Sequence, residues 1–137
     1  MLIAMQGASG SGKSTKAKEL SVQYDAVICS TDDIFAESGV YKFDAKLLGV
    51  NHKKNLDKAV GLLKSGKNVI VDNTNLQRWE VKPYVEAALA AGHEVMFVRC
   101  EGQYQNVHGV PDFKVEQMRG RMEDLTVESV LASKKPF

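Results

Sequence analysis

The stretch Gly7-Ala8-Ser9-Gly10-Ser11-Gly12-Lys13-Ser14-Thr15 decides the fold of this chain of 137 residues. It follows the apolar run Leu2–Met5, which predicts a short buried strand. It leads into a helical pattern that extends from about Lys13 to Val22. We therefore expect a strand, a glycine-rich loop and a helix as the first three elements.

The glycine-rich loop matches the pattern GxxxxGK[ST] in the strand–loop–helix setting that this pattern requires. Glycines let the backbone turn so that successive N–H groups point into one concavity, and the helix N-terminus adds partial positive charge. Lys13 is expected to reach the β- and γ-phosphates of a nucleotide, and the Ser14 hydroxyl to ligate Mg²⁺. The alternative is a Gly/Ser turn with a chance lysine. The residues predicted to bind ATP or another nucleoside triphosphate are Gly7, Ala8, Ser9, Gly10, Ser11, Gly12, Lys13, Ser14 and Thr15.

Three more short apolar runs predict strands, at Ala26–Cys29, Val69–Val71 and Val95–Val98. Helical spacing of apolar residues separates them, from about 51 to 64 and from about 79 to 90. Apolar strands alternating with helices indicate a parallel sheet that is covered on both faces. We predict an α/β fold of the P-loop NTPase kinase type, with a short sheet and a reduced lid.

Length and composition fit one domain over residues 1–137, with 44% hydrophobic and 26% charged residues. A formal net charge of +1 does not indicate a bulk polyanion binder, although a local basic groove is compatible with it. The two cysteines, Cys29 and Cys100, have no metal-ligand spacing, and we expect buried free thiols in the cytoplasm. No apolar run is long enough to span a membrane, so no membrane partner is expected.

Carboxylates follow two of the predicted strands. Asp72 comes directly after the third strand, where it can hold Mg²⁺ opposite Ser14, although Asp-Asn-Thr-Asn is also good turn chemistry. Asp32 and Asp33 follow the second strand, where a carboxylate can accept the proton of an attacking hydroxyl. We favour Asp32 as this base, with Asp33 capping the short helix that follows. The alternative is that both aspartates are only cap and surface charge.

Taken together with the phosphate loop, three further elements resemble the P-loop polynucleotide 5′-hydroxyl kinase family. They are Ser30-Thr31-Asp32-Asp33, Asp72-Asn73-Thr74-Asn75-Leu76 and Asn106-Val107-His108-Gly109-Val110-Pro111. The chain is most similar to a small-kinase branch found in phages and as a domain in animal ubiquitin-ligase-binding proteins. The resemblance extends over almost the whole chain.

The resemblance implies transfer of the γ-phosphate of ATP or another NTP, with Mg²⁺, to the 5′-hydroxyl of DNA or RNA. Lys13 and Ser14 match the phosphate and Mg²⁺ residues, and Asp32 matches the general base. The 72–75 element matches the loop between metal and acceptor, with the individual roles of Asp72 and Asn73 left open. The acceptor-binding residues that this implies are Asp33, Asn73, Thr74, Asn75 and His108.

One departure from the family concerns the arginines of its lid, which neutralise charge on the transferring phosphoryl group. Residues 101–110 contain no Arg or Lys. Arg99, Arg119 and Arg121 are the substitutes within the chain, and Arg119 and Arg121 are predicted as catalytic. A cation from a second subunit of a homo-oligomer is the alternative.

Two other functions remain open. The acceptor can be a nucleoside, nucleotide or other small alcohol, or the chain can be a nucleotide-binding interaction module without transfer activity. Trp79 either stacks on an acceptor base or packs against the sheet.

Overall fold

The computed structural model describes residues 1–8, 10–37, 45–102 and 112–135, which form four strands and six helices. The elements in chain order are β1 (Leu2–Gln6), α1 (Lys13–Tyr24), β2 (Ala26–Cys29), α2 (Thr31–Glu37), α3 (Ala45–Lys64), β3 (Asn68–Val71), α4 (Arg78–Ala90), β4 (Val95–Arg99), α5 (Asp112–Arg121) and α6 (Val127–Ala132).

The four strands form one parallel sheet in the order β2-β3-β1-β4. Ile70 of β3 lies opposite Ile3 of β1 on one side and Ile28 of β2 on the other. All strands therefore end at the same edge of the sheet. The loop after β1, the start of α2 and the loop after β3 consequently meet there.

Helices cover both faces of the sheet because the side chains of each strand alternate between two cores. Leu2 and Ala4 point into a core formed with α3, α4 and α6, whereas Ile3 and Met5 point into a smaller core formed with α1. All four side chains are completely buried. The predicted α/β kinase-type fold is confirmed.

The predicted positions of all four strands are confirmed to within a residue or two, but two helices differ from expectation. Helix α3 begins at Ala45, six residues earlier than predicted, because Ala, Lys and Leu at 45–48 are strong helix formers. Helix α2 begins at Thr31, so Asp32 and Asp33 both lie inside its first turn. The expectation that Asp33 precedes and caps this helix is therefore wrong. Carboxylates in a first turn still complement the helix dipole.

The predicted reduced lid comprises residues 101–110, of which residues 103–110 lie outside the described residues. Over the ranges that the structure describes, no helix combines the length and apolar character needed to cross a bilayer.

Candidate active site

The loop between β1 and α1 turns at glycines whose conformation or surroundings leave no room for a side chain. Gly10 and Gly12 have φ of 79° and 84°, in the left-handed region. A Cβ atom on Gly7 would collide with the Ser11 Oγ and lie 2.9 Å from the Cys100 carbonyl oxygen. The loop therefore packs tightly against the end of β4 while its N–H groups remain at the helix N-terminus.

The loop has the properties of an anion site. Helix α1 starts at Gly12 with no side-chain cap and no acidic residue in its first turn, which leaves its terminal N–H groups available to an external acceptor. The Ser11 Oγ is buried and makes no hydrogen bond within the described part of the chain. A buried hydroxyl without a partner is costly, and a phosphate oxygen would satisfy it. The residues present therefore fit a nucleotide phosphate chain.

The end of β3 brings Asp72 against the start of α1. Lys13 Nζ donates to Asp72 Oδ1 at 3.1 Å, and Ser14 Oγ donates to Asp72 Oδ2 at 3.1 Å. The side chains of Lys13 and Asp72 are only 14% and 8% exposed. A hydroxyl and a carboxylate at this spacing are the oxygen ligands that Mg²⁺ takes beside phosphates and water. The donor set therefore fits the predicted magnesium site.

On the β2 side of the cleft, Thr31 organises the beginning of α2. Its N–H donates to Asn73 Oδ1 at 3.0 Å, and its hydroxyl lies 2.8 Å from His52 Nδ1 of α3. Burial lowers the pKa of His52, and the nearby Asp32 carboxylate opposes this shift. Both Asp32 and Asp33 are exposed, and of the two only Asp32 lines the cleft. The role of Asp32 as the base stays a prediction.

The predicted acceptor residues in the loop after β3 divide into two groups. Asn73 and Thr74 line the cleft, and Asn73 Oδ1 accepts from the Thr31 N–H. Asn75 also borders the cleft, but it is buried in a left-handed conformation (φ 46°), and its Nδ2 donates to the Met5 carbonyl at 2.7 Å. The side chain of Asn75 therefore holds the loop against β1.

Sequence reasoning missed Gln6, a buried residue at the end of β1. Its Nε2 lies within hydrogen-bond distance of the carbonyls of Asn75, Leu76 and Glu123, with the shortest distance 2.7 Å, to Glu123. Gln6 thus joins the phosphate-loop strand to the loop after β3 and to the segment before α6. Only its position between an apolar strand and the glycine-rich loop could have suggested this role.

These loops enclose a single cleft of about 1440 Å³. A cleft larger than the usual 300–1,000 Å³ of a small-ligand pocket has room for two substrates. Its lining is more basic than the chain as a whole, which carries +1. The charged side chains that line it are Lys13, Lys16, Lys53, Arg99, Arg121 and Lys135 against Glu19, Asp32 and Glu80.

The three candidate arginines have different surroundings. Arg99 lines the cleft but pairs with Glu101 and Asp124, at 3.1 and 2.9 Å. Arg119 pairs with Glu116 at 2.7 Å and does not line the cleft. Arg121 lines the cleft near Glu80. Burial raises the pKa of Glu80, and the positive charge of Arg121 opposes this shift. Of the two arginines predicted as catalytic, the structure brings only Arg121 to the cleft.

Two predicted site residues, Ser9 and His108, lie outside the described residues. Of the remaining phosphate-loop residues, Gly7 does not line the cleft and the other seven do: Ala8, Gly10, Ser11, Gly12, Lys13, Ser14 and Thr15.

A parallel sheet with a phosphate-binding loop after its first strand and a carboxylate after the neighbouring strand defines the P-loop kinase-like class. A family model described as AAA domain matches residues 2–105, and the chain belongs to that family.

The chain is also similar to individual known proteins. The chain is 37% identical over 129 residues to human NEDD4-binding protein 2, covering 86% of this chain and 7% of that protein. The chain therefore corresponds to a small part of that relative. Among solved structures, a chain of the Pnkp1/Rnl/Hen1 RNA repair complex is similar in fold (TM-score 0.61, 21% identity). The match covers 94% of this chain and 41% of that chain. A gluconokinase from Sinorhizobium meliloti matches 94% of this chain and 86% of its own (TM-score 0.59, 17% identity). At these identities, the structural similarities concern the fold alone.

Proposed function

We propose that this chain is an ATP- and Mg²⁺-dependent kinase that transfers the γ-phosphate to 5′-hydroxyl ends of DNA or RNA. The observation that carries the proposal is the junction of Lys13, Ser14 and Asp72 beneath the phosphate loop, with Asp32 on the wall of the same cleft. Phosphoryl transfer needs little beyond such positioning and charge neutralisation.

Each of these side chains has a distinct role. Lys13 neutralises the β- and γ-phosphates, a role for which its ammonium leaves Asp72. Ser14 and Asp72 would hold Mg²⁺, which when bound offsets the negative charge of the phosphates. Asp32 accepts the proton of the acceptor hydroxyl as its oxygen attacks the γ-phosphorus and the bond to the β–γ bridging oxygen breaks.

Two features support a nucleic-acid acceptor. Arg121 and Lys135 line the cleft without an ion pair among the described residues, so they can attract a polyanion although the whole chain is almost neutral. The fold similarity to a protein of an RNA repair complex is compatible with the same kind of acceptor.

The test is incubation with γ-labelled ATP, Mg²⁺ and a panel of acceptors. The panel holds 5′-hydroxyl DNA and RNA oligomers, their 5′-phosphorylated counterparts, nucleosides, nucleotides and gluconate. Label on the 5′-hydroxyl oligomers alone is the expected result. Asp32→Asn is expected to reduce kcat by about 10²–10⁴-fold with ATP binding retained. Asp33→Asn is the matched control and should change kcat by less than tenfold.

The source of the positive charge is tested separately. Arg121→Ala is expected to lower kcat by about 10²-fold or more, because a catalytic arginine neutralises the transition-state charge. Arg119→Ala removes the same charge from the same helix outside the cleft and serves as control. Equal effects of the two substitutions would contradict a catalytic role of Arg121 and favour a cation from a second copy of the chain.

Two alternatives have specific support. The gluconokinase similarity favours a small alcohol as acceptor, and label on a small molecule alone would establish it. The engagement of Arg99 and Arg119 by carboxylates favours a nucleotide-binding module, and ATP binding without any label would establish that.

A further inference from the structure

Trp79, at the start of α4, lies between two cavities. One is the main cleft, and the other is a recess of about 460 Å³ whose lining includes Arg78, Ser133 and Lys134. Trp79 lines both cavities, so its indole forms part of the wall that separates them. The indole N–H donates to Gln77 Oε1 at 2.8 Å, which fixes the ring without using its faces.

The surroundings of this ring do not fit a residue of the core. Trp79 is only partly buried, and among the described residues it belongs to neither of the two hydrophobic cores. It also lies at the edge of the sheet where the strands end, beside the phosphate loop and the loop after β3. A large, partly exposed aromatic ring at this edge is available to a ligand.

Two lysines lie near the ring. The Lys135 ammonium lies over one face of the indole, 5.5 Å from the ring centroid, and borders the main cleft, whereas Lys134 borders the recess. This tail is anchored, because Lys82 Nζ donates to the Ser133 carbonyl at 2.8 Å and Val130 of α6 is completely buried in the core. Both lysines are exposed and carry their charges at the rims of the cavities.

We propose that Trp79, Lys134 and Lys135 form a subsite for single-stranded nucleic acid, in which a base stacks on the indole and the phosphodiesters lie at the two lysines. This subsite would bind the nucleotides that follow the reacting 5′ end, along a path from the main cleft across Trp79 into the recess. The inference rests on the proposed function and deepens it: the acceptor is an oligonucleotide rather than a mononucleotide. A base that stacks on the indole face opposite Lys135, with lysines near the phosphodiesters, is the combination that single-strand binders use.

A binding measurement tests the subsite without requiring activity. Trp79 is the only tryptophan of the chain, so the intrinsic tryptophan fluorescence reports on this ring alone. Octamers of DNA and RNA with 5′-hydroxyl ends, titrated without ATP or Mg²⁺, are expected to quench it. A nucleoside 3′-monophosphate should bind at least tenfold more weakly. Octamer binding without any change in fluorescence, or equal affinity for octamer and monomer, would overturn the proposal.

A kinetic measurement tests the same subsite in the working enzyme. Trp79→Ala is expected to lower kcat/KM for the octamer by about 5- to 100-fold, from the usual effect of losing one stacked base. It should change kcat/KM for the nucleoside 3′-monophosphate less than twofold, and Trp79→Phe, which keeps a ring, should recover most of the octamer activity. Equal losses on both acceptors would mean a purely structural tryptophan and would overturn the proposal.

Salt dependence tests the lysines. The double variant Lys134→Ala/Lys135→Ala is expected to reduce the slope of log K against log salt by about 1.4, at about 0.7 for each phosphate contact on a single strand. The double variant Lys64→Ala/Lys67→Ala removes the same charge at the opposite end of the sheet and should leave the slope unchanged. An unchanged slope in the first variant would overturn the role of the lysines.

Failure of the subsite and failure of the proposed function give different results. Phosphorylation of 5′-hydroxyl ends with no dependence on acceptor length and no quenching would remove the subsite alone. Quenching by the octamer with no label on any acceptor would remove the kinase activity alone.

Discussion

The ion pair between Lys13 and Asp72 should contribute to the stability of the free protein, and this can be tested before any ligand is added. Asp72→Asn keeps the shape of the side chain and an oxygen that accepts from Lys13 Nζ, but it removes the charge. Because both side chains are almost buried, the Lys13 ammonium then has no compensating charge nearby. Hydrogen bonds to charged groups contribute about 1.5–3 kcal/mol, of which the amide retains part. We expect a loss of about 1–3 kcal/mol in the free energy of unfolding.

For a chain of 137 residues, this loss corresponds to a decrease of roughly 4–10 °C in the melting temperature. The assay is urea denaturation without nucleotide, applied to Asp72→Asn, to Lys13→Met and to the double variant. If the two side chains compensate each other's charge, the double variant is less destabilised than the sum of the single variants by about 0.5–3 kcal/mol. Single effects that add to within about 0.5 kcal/mol would refute this reasoning.

Asp72→Asn also tests whether ATP and Asp72 compete for the Lys13 ammonium. In the free protein, ATP must compete with Asp72 for the Lys13 ammonium, and the carboxylate becomes available to Mg²⁺ only when Lys13 leaves it. Asp72→Asn therefore should not weaken binding of metal-free ATP, whereas the gain in affinity on adding Mg²⁺ should be largely lost. Calorimetric titration with and without Mg²⁺ measures both quantities. An unchanged gain would exclude Asp72 from the metal site.

Four further outcomes are expected. Gly7→Ala should cost about 1–3 kcal/mol in a thermal melt and impair ATP binding, because the new methyl group lies 2.9 Å from the Cys100 carbonyl oxygen. Gly61→Ala, at an exposed position of α3 with nothing within 4 Å of the added methyl, should instead stabilise by about 0.5–1 kcal/mol. Burial raises the pKa of both thiols, so a disulfide reagent should react slowly with Cys100, more slowly still when ATP fills the cleft, and with Cys29 only on unfolding. Burial lowers the pKa of His52 below 6.5, so the folded state opposes its protonation, and stability should fall as the pH drops from 6.5 through the lowered value. Urea denaturation at pH 7.5 and 5.0 should show a smaller loss in His52→Asn than in the wild type, and equal losses would contradict this assignment.

The sequence predicts the sheet well because a strand buried on both faces leaves a continuous apolar run, as at Leu2–Met5. It also predicts the meeting of Ser14 and Asp72, which are 58 residues apart, because parallel strands end at one edge. Both predictions depend on the general geometry of the fold, and the start of α1 and the end of β3 have little freedom within it.

Contacts that depend on individual side chains were not predictable in this way. Gln6 reaches a carbonyl 117 residues away, and Asn75 turns its amide into β1 rather than toward an acceptor. His52, at an exposed position of α3, contacts Thr31 and lines the cleft. In each case the partner is a backbone group or hydroxyl that has no signature in the sequence, and only the packing of the helices decides the contact.

The placement of the arginines restricts how charge on the transferring phosphoryl group can be neutralised. Residues 101–110 contain neither Arg nor Lys, so the segment after β4 cannot supply a guanidinium or ammonium group, and His108 is its only basic side chain. Arg99 can supply one only by leaving two carboxylates, and Arg119 points to Glu116 outside the cleft. Arg121, on a helix that follows the lid segment, already lines the cleft. If the chain catalyses transfer by itself, we therefore expect Arg121 of α5 to neutralise the charge on the transferring phosphoryl group.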